Sequence, residues 1–192
     1  MKLSTQQEKF IAICAPSGSG KTTIYKQLLK DLPLLSKSIS AATRSRRGEE
    51  VDGVDYYFIS LDEFESKIQN NEFVEWEKVY EGKFYGTLKS EIKRIHELGK
   101  IPLLDIDVKG AQAIKKIYGE NALIIFIKVP LGIIKERLLK RGTDSTEDIQ
   151  ARLERTREEY QYESKCDQVV LNIDLAEAQE RTKTIVENFL NS

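Results

Sequence analysis

Ala15-Pro16-Ser17-Gly18-Ser19-Gly20-Lys21-Thr22 carries the parts of a phosphate grip in the spacing of a Walker A loop. Gly18 and Gly20 let the backbone turn tightly enough for successive N–H groups to converge on phosphate oxygens. The helix expected after the loop adds the positive end of its dipole. Lys21 can then reach the outer phosphates of a nucleotide, and Thr22 offers its hydroxyl to Mg2+. The first position, usually glycine, is Ala15, so the backbone there must suit a residue with a Cβ. The plain alternative is a chance Gly/Ser-rich turn. An apolar run before the loop and a helical pattern after it favour the phosphate loop.

A second group of candidates follows. Arg44, Arg46 and Arg47 put three guanidinium groups within four residues, and guanidinium forks match phosphate oxygens two at a time. A solvated basic loop is the ordinary reading of such a run. Tyr56 and Tyr85 add phenolic donors, and Glu75 and Thr87 add polar groups, which favours a second anion site. Further on, Leu103-Leu104-Asp105-Ile106-Asp107 ends an apolar run on two carboxylates. Alternate strand residues share a face, and ligands of open α/β sheets bind beyond the carboxyl ends of strands. Turn-forming acids are the alternative there. The polar stretch at residues 138–143, before another helical pattern, looks like a lid.

The elements that would position these groups alternate. Apolar runs of strand length lie at residues 10–15, 101–106, 123–129 and 168–172. Helical patterns follow the phosphate loop at residues 22–30, closed by Pro33, and recur through Leu88, Ile92 and Ile95, through Ile133, Ile134 and Leu138, through Ile149, Leu153 and Tyr160, and through Ala178, Ile185 and Phe189. Thr87 reads as the N-cap of the second of these. The alternation predicts an α/β domain with a mainly parallel sheet. Residues 38–86 break the rhythm, with β-like runs around a short helix opened by Ser60 and Glu63, and predict an inserted subdomain.

The chain's 192 residues suit one compact domain with a small insert. With 40% hydrophobic and 32% charged residues, general disorder is excluded. Thirty basic against 31 acidic residues argue against a nucleic-acid binder. No apolar run is long enough to span a bilayer, and Met1 to Lys9 lack the apolar stretch of a secretory signal, so a cytoplasmic protein with no membrane partner is expected. Cys14 and Cys166 form no metal-like pair; Cys14 reads as a buried small hydrophobe. The lone histidine, His96, reads as a surface residue. A monomer or homodimer is expected from the size.

Together these stretches resemble the guanylate kinases. The likeness rests on APSGSGKTT, SISAATRSRRGEEVDGVDYYFIS, FVEWEKVY, FYGT, LLDIDVKGAQ, RLLKRGTDSTEDIQARL and the VVLN near the end, and runs from about Phe10 to Phe189. The resemblance implies a P-loop kinase fold, with residues 1–37 and 88–192 as the core, a lid at about 137–155, and residues 38–87 as a small α+β subdomain for the nucleoside monophosphate. It implies transfer of a phosphoryl group from MgATP to GMP, with dGMP accepted too. Ala15, Pro16, Ser17, Gly18, Ser19, Gly20, Lys21, Thr22, Thr23, Arg137 and Asn172 are then expected at ATP. Arg44, Arg47, Tyr56 and Tyr85 are expected at the GMP phosphate with Glu50 orienting the arginines, and Ser40, Glu75, Thr87 and Asp107 at guanine. Lys21, Arg44, Arg141 and Arg152 are expected to act on the transferring phosphate, and Thr22 and Asp105 to hold Mg2+.

The chain departs from the family pattern at Arg46, which replaces a proline, and at Gly48-Glu49-Glu50, where register favours Glu50 over Glu49 as the motif acid. Two other readings stand beside the kinase. One is an inactive guanylate-kinase-like module that binds a partner peptide; intact Gly20, Lys21 and Thr22 and the lid arginines argue against it. The other is a kinase with a different acceptor. Guanine shows two donors on one edge, which a carboxylate such as Glu75 accepts together, whereas adenine would face it with a lone pair. Surface ion pairing with Glu147, Asp148 and Glu154 is the alternative for Arg137, Arg141 and Arg152.

Overall fold

The apolar run before the phosphate loop becomes β1 (Phe10–Cys14), every residue of it buried. The computed structural model describes residues 9–16, 18–80, 82–141 and 146–192, without the side chains of residues 79, 80, 141 and 146. After β1 come α1 (Lys21–Asp31), β2 (Leu35–Lys37), β3 (Ala41–Ala42), β4 (Tyr57–Phe58), α2 (Leu61–Gln69), β5 (Phe73–Tyr80) and β6 (Lys83–Leu88). Then follow α3 (Lys89–Glu97), β7 (Ile101–Asp105), α4 (Val108–Tyr118), β8 (Ala122–Lys128), α5 (Leu131–Arg141), α6 (Thr146–Tyr160), β9 (Gln168–Leu171) and α7 (Leu175–Asn191).

Five strands form a sheet in the order β2-β7-β1-β8-β9, and every neighbouring pair is parallel. The strands are apolar on both faces because helices cover both. Ile11 and Ile13 of β1 join Leu103, Ile125, Ile24 and Leu28 on one side. Phe10, Ala12 and Cys14 join Leu104, Ile124, Phe126 and Ile114 on the other. This is the expected α/β core, and it aims the carboxyl ends of β1 and β7 at one crevice.

A second sheet, β4-β3-β6-β5, spans residues 41–88. Its core is Ala41, Phe64, Phe73 and Leu88. Ser60 caps α2 as expected, its hydroxyl accepting the Glu63 N–H at 3.1 Å. One carboxylate braces this unit against the core. Glu91 of α3 is 2% exposed and accepts from the Ile39 N–H at 2.9 Å, the Tyr57 hydroxyl at 2.9 Å and the Arg94 guanidinium at 2.7 and 2.8 Å. Glu91→Ala strands these donors, so it is expected to cost about 2–3 kcal/mol and lower the thermal midpoint by about 4–12 °C. Glu91→Gln, which keeps an acceptor, should cost less; equal losses in both would show that the buried acceptor does not matter.

Three expectations are corrected. Thr87 does not cap α3: Leu88 holds that position with no side-chain bond, and Thr87 is fully buried in β6. The helix α4 was not among the expected ones. Its signals are Asp107, whose carboxylate accepts the Gly110 N–H, and the stripe Val108, Ala111 and Ile114. His96 is half-buried rather than on the surface, its ring edge-on to Phe10 at 5.6 Å. Cys14 is buried as expected, and Cys166 lies against it with the sulfurs 3.9 Å apart.

Candidate active site

Two cavities open at the carboxyl ends of β1 and β7, and Ala15 and Lys21 line both. The first, about 670 Å³, is walled by Ala15, Pro16, Gly18, Ser19, Gly20, Lys21, Thr22 and Thr23 together with Arg137 and Asn172. Gly20 sits at the start of α1 with φ +82°, a left-handed angle that favours glycine. A Cβ there would also meet the Asn172 Nδ2 at 2.7 Å. That Nδ2 donates to the Ser19 carbonyl at 2.6 Å, so the end of β9 buttresses the loop. No acidic residue occupies the first turn of α1, so the positive end of its dipole faces the cavity, while the Lys21 N–H donates to the Ser19 hydroxyl at 3.3 Å and the Thr23 N–H to the Gly20 carbonyl at 3.1 Å. Arg137 donates to the Asn172 carbonyl at 3.3 Å and lies on the cavity wall rather than in a helical surface pair. Ser17 lies outside the described residues, as does the side chain of Arg141.

The second cavity, about 550 Å³, is lined by Lys21, Ser40, Tyr56, Glu75, Tyr85, Asp105, Asp107 and Arg152 among others. Lys21 is ion-paired with Asp105, where the two cavities meet. Asp105 ends β7 and Asp107 caps α4, so the strand alternation expected to align them does not extend to Asp107, yet both reach the same cavity. Burial pushes the Tyr56 phenol above its ordinary range, keeping it a hydrogen-bond donor.

Glu75 is 7% exposed. Pairing of β5 with β6 sets it opposite Thr87, whose hydroxyl donates to Oε1 at 2.6 Å. Burial is the main cause that pushes its carboxyl up to about 7, with the negative charge of Asp107 adding to it and the Thr87 hydroxyl opposing it.

Four expected residues do not stand on the cavity walls. Thr87 sits behind Glu75 and holds it. Arg44 is turned onto Glu50, donating to it at 2.5 and 2.7 Å, with its guanidinium 4.8 Å from the Tyr56 ring. Glu50 also accepts the Arg47 backbone N–H at 2.8 Å, and the Arg47 side chain is exposed. The Arg44 fork, with the Arg47 N–H, holds the Glu50 carboxyl down to about 2. Glu50, not Glu49, is therefore the acid that orients Arg44. Glu77, Arg155 and Glu159 also line the second cavity and were not anticipated. Their sequence signals were spacing: Glu77 lies two residues beyond Glu75 in a strand, and Arg155 and Glu159 lie three and seven residues beyond Arg152 on one face of a helix.

No cluster of three or more ligating side chains occurs among the described residues. The hard oxygens on offer, the exposed Thr22 hydroxyl and the Asp105 carboxylate, suit Mg2+ that arrives with a nucleotide and keeps several waters. No helix among the described residues is long and apolar enough to cross a membrane.

Comparison with known proteins agrees with this geometry. A family model described as guanylate kinase matches residues 7–189. The guanylate kinase of Porphyromonas gingivalis is 47% identical over 184 residues, 95% of this chain and 98% of that one. The guanylate kinase of Salinibacter ruber is 46% identical over 183 residues, 95% of this chain and 97% of that one. Among solved structures, guanylate kinase from Anaplasma phagocytophilum superposes with a TM-score of 0.75 at 29% identity, covering 94% of this chain and 85% of that one.

Proposed function

The chain belongs to the guanylate kinase family, and from that premise we propose that it moves the γ-phosphoryl group of MgATP in line onto the phosphate of GMP, releasing GDP and ADP. The observation that carries the reading is the pair of cavities meeting at Lys21. One has the form of a triphosphate cradle. The other ends in a buried carboxylate.

The P-loop N–H groups and the start of α1 bind the donor phosphates, with Arg137 and Asn172 at the far side of that cavity. The Lys21 ammonium neutralises charge between donor and acceptor. Arg44, with Arg47, Tyr56 and Tyr85, holds the acceptor phosphate, the Glu50 carboxylate keeping the Arg44 fork in plane. A phosphate oxygen of GMP forms the new bond to the γ-phosphorus as the bond to the bridging oxygen breaks, and ADP carries that electron pair away. The acceptor is already an anion, so no general base is needed. Arg152 and Arg141 neutralise the moving phosphoryl group from the lid and help exclude water. Mg2+ would be held by Thr22 and, through water, by Asp105, and would screen the donor's phosphate charge.

Glu75 reads the base. Its carboxylate accepts the guanine N1–H and exocyclic N–H together, while Ser40 and Asp107 line the same pocket. By the family resemblance, dGMP is proposed as an acceptor too. An ADP-release assay with GMP, dGMP, AMP, UMP and dTMP tests the reading. GMP should exceed AMP in kcat/KM by about 10⁴-fold, as for other sites built to hydrogen-bond their substrate. Equal turnover of AMP would remove the guanine assignment. No ADP from any acceptor would favour the inactive peptide-binding module.

A further inference from the structure

The third residue of α4, Gly110, is a buried glycine in the first turn of a helix. Its backbone does not explain the choice, because Gly110 is not among the glycines with positive φ. Glycine there costs the helix about 1 kcal/mol relative to alanine. What position 110 lacks is room. A Cβ would lie 2.7 Å from Glu75 Oε2, 3.3 Å from Glu75 Cδ and 3.5 Å from Asp107 Oδ1. The first distance is far inside contact, and it falls on the carboxylate that lines the acceptor cavity.

Glu75 is held from two sides. Thr87 donates to Oε1 from β6, and α4, packed against β5, meets Oε2 at Gly110. The Gly110 N–H is already taken by Asp107 at 2.8 Å. Glycine therefore contributes no bond to Glu75, only the space in which its carboxylate lies. A methyl group at 110 must push Oε2 away. Thr87 tethers the other oxygen, so the carboxylate has to rotate or shift at the wall of the acceptor cavity that it lines.

We propose that Gly110 is a positioning residue for base selection: its missing side chain sets where the Glu75 carboxylate lies, and with it the preference for guanine over adenine. This rests on the reading of Glu75 as the group that accepts the guanine edge.

The test is Gly110→Ala, assayed for ADP release with GMP and with AMP and followed by thermal unfolding. A displacement of a few tenths of an ångström at a binding group is expected to raise the KM for GMP by about tenfold, and to lower the GMP-over-AMP ratio of kcat/KM alike. The KM for ATP should stay within about twofold, because the triphosphate loop is not touched. The thermal midpoint should move little, because the gain of about 1 kcal/mol in helix propensity offsets the cost of displacing a buried carboxylate. A merely structural glycine gives the opposite pattern, with lower stability and both KM values raised together, and that result overturns the proposal. So do unchanged GMP kinetics. Added to Glu75→Gln, the same substitution should have a smaller effect on the ratio than it has alone; strict additivity would show that position 110 does not act through Glu75. A parent enzyme with no preference for GMP would sink the reading of Glu75 itself. A parent with the preference and an indifferent Gly110→Ala would sink only the proposal.

Discussion

Lys21→Ala is expected to lower kcat by at least about 10³-fold while leaving the fold in place. Lys21 lines both cavities and is the one cation of the phosphate loop. Charge that develops between donor and acceptor has that ammonium beside it, in a site where preorganised groups act more strongly than in water. The cost to stability should be small. The Asp105 partner is 39% exposed in its side chain, so solvent takes over its charge, and exposed pairs are worth about 1 kcal/mol or less. Single-turnover ADP formation with saturating GMP, set beside a thermal unfolding curve, separates the two effects. A near-normal rate would mean that the lysine does not touch the transferring group. A large drop in the unfolding temperature would mean that its pairing with Asp105 is structural.

Glu75→Gln should lower kcat/KM for GMP by about 10²–10³-fold and leave AMP nearly unchanged. Glutamine presents one acceptor and one donor where guanine requires two acceptors, so one bond is lost and two donors face each other. The pH dependence gives an independent check. In the folded protein the Glu75 carboxyl is pushed from 4.5 up to about 7, so below that pH the free enzyme carries a protonated acid that accepts poorly. The kcat/KM for GMP should therefore fall on acidification through pH 7, by up to about tenfold per pH unit. Glu75→Gln should lose that limb and keep only the one near pH 6 that belongs to the phosphate of GMP itself.

The same raised value fixes the sign for stability. A carboxyl whose folded pKa exceeds its unfolded one favours the fold while protonated, and that contribution is lost as pH rises from about 4.5 through about 7. Glu75→Gln should thus raise the thermal midpoint at pH 8 relative to the parent, even as it damages GMP turnover. A midpoint that falls at pH 8 would contradict the burial argument.

Much of the core is legible in the residue order. The phosphate loop, the strand before it and the helix after it are specified by contiguous residues. So are the four apolar runs that form β1, β7, β8 and β9, and the Ser60 cap of α2. Short elements are not legible in this way. β2 has three residues, and β3 and β4 have two each, too few for a period to register. The helix α4 escapes because the glycine in its first turn and its place straight after a strand read as a loop. Thr87 shows the same limit: a hydroxyl just before a helical pattern looks like a cap, and only the pairing of β5 with β6 turns it toward Glu75.

Residue order alone carries much of what depends on near neighbours: a turn that needs glycine, the Ser60 cap of α2, the stripes of the helices it predicted. Tertiary packing decided what depends on distant partners. It brought Asp105 to Lys21, laid α4 beside Glu75 so that Gly110 leaves room for a carboxylate, and set Thr87 across from it. It also raised the affinity of that carboxylate for a proton, because desolvation is a property of everything that surrounds a group and not of its neighbours along the chain.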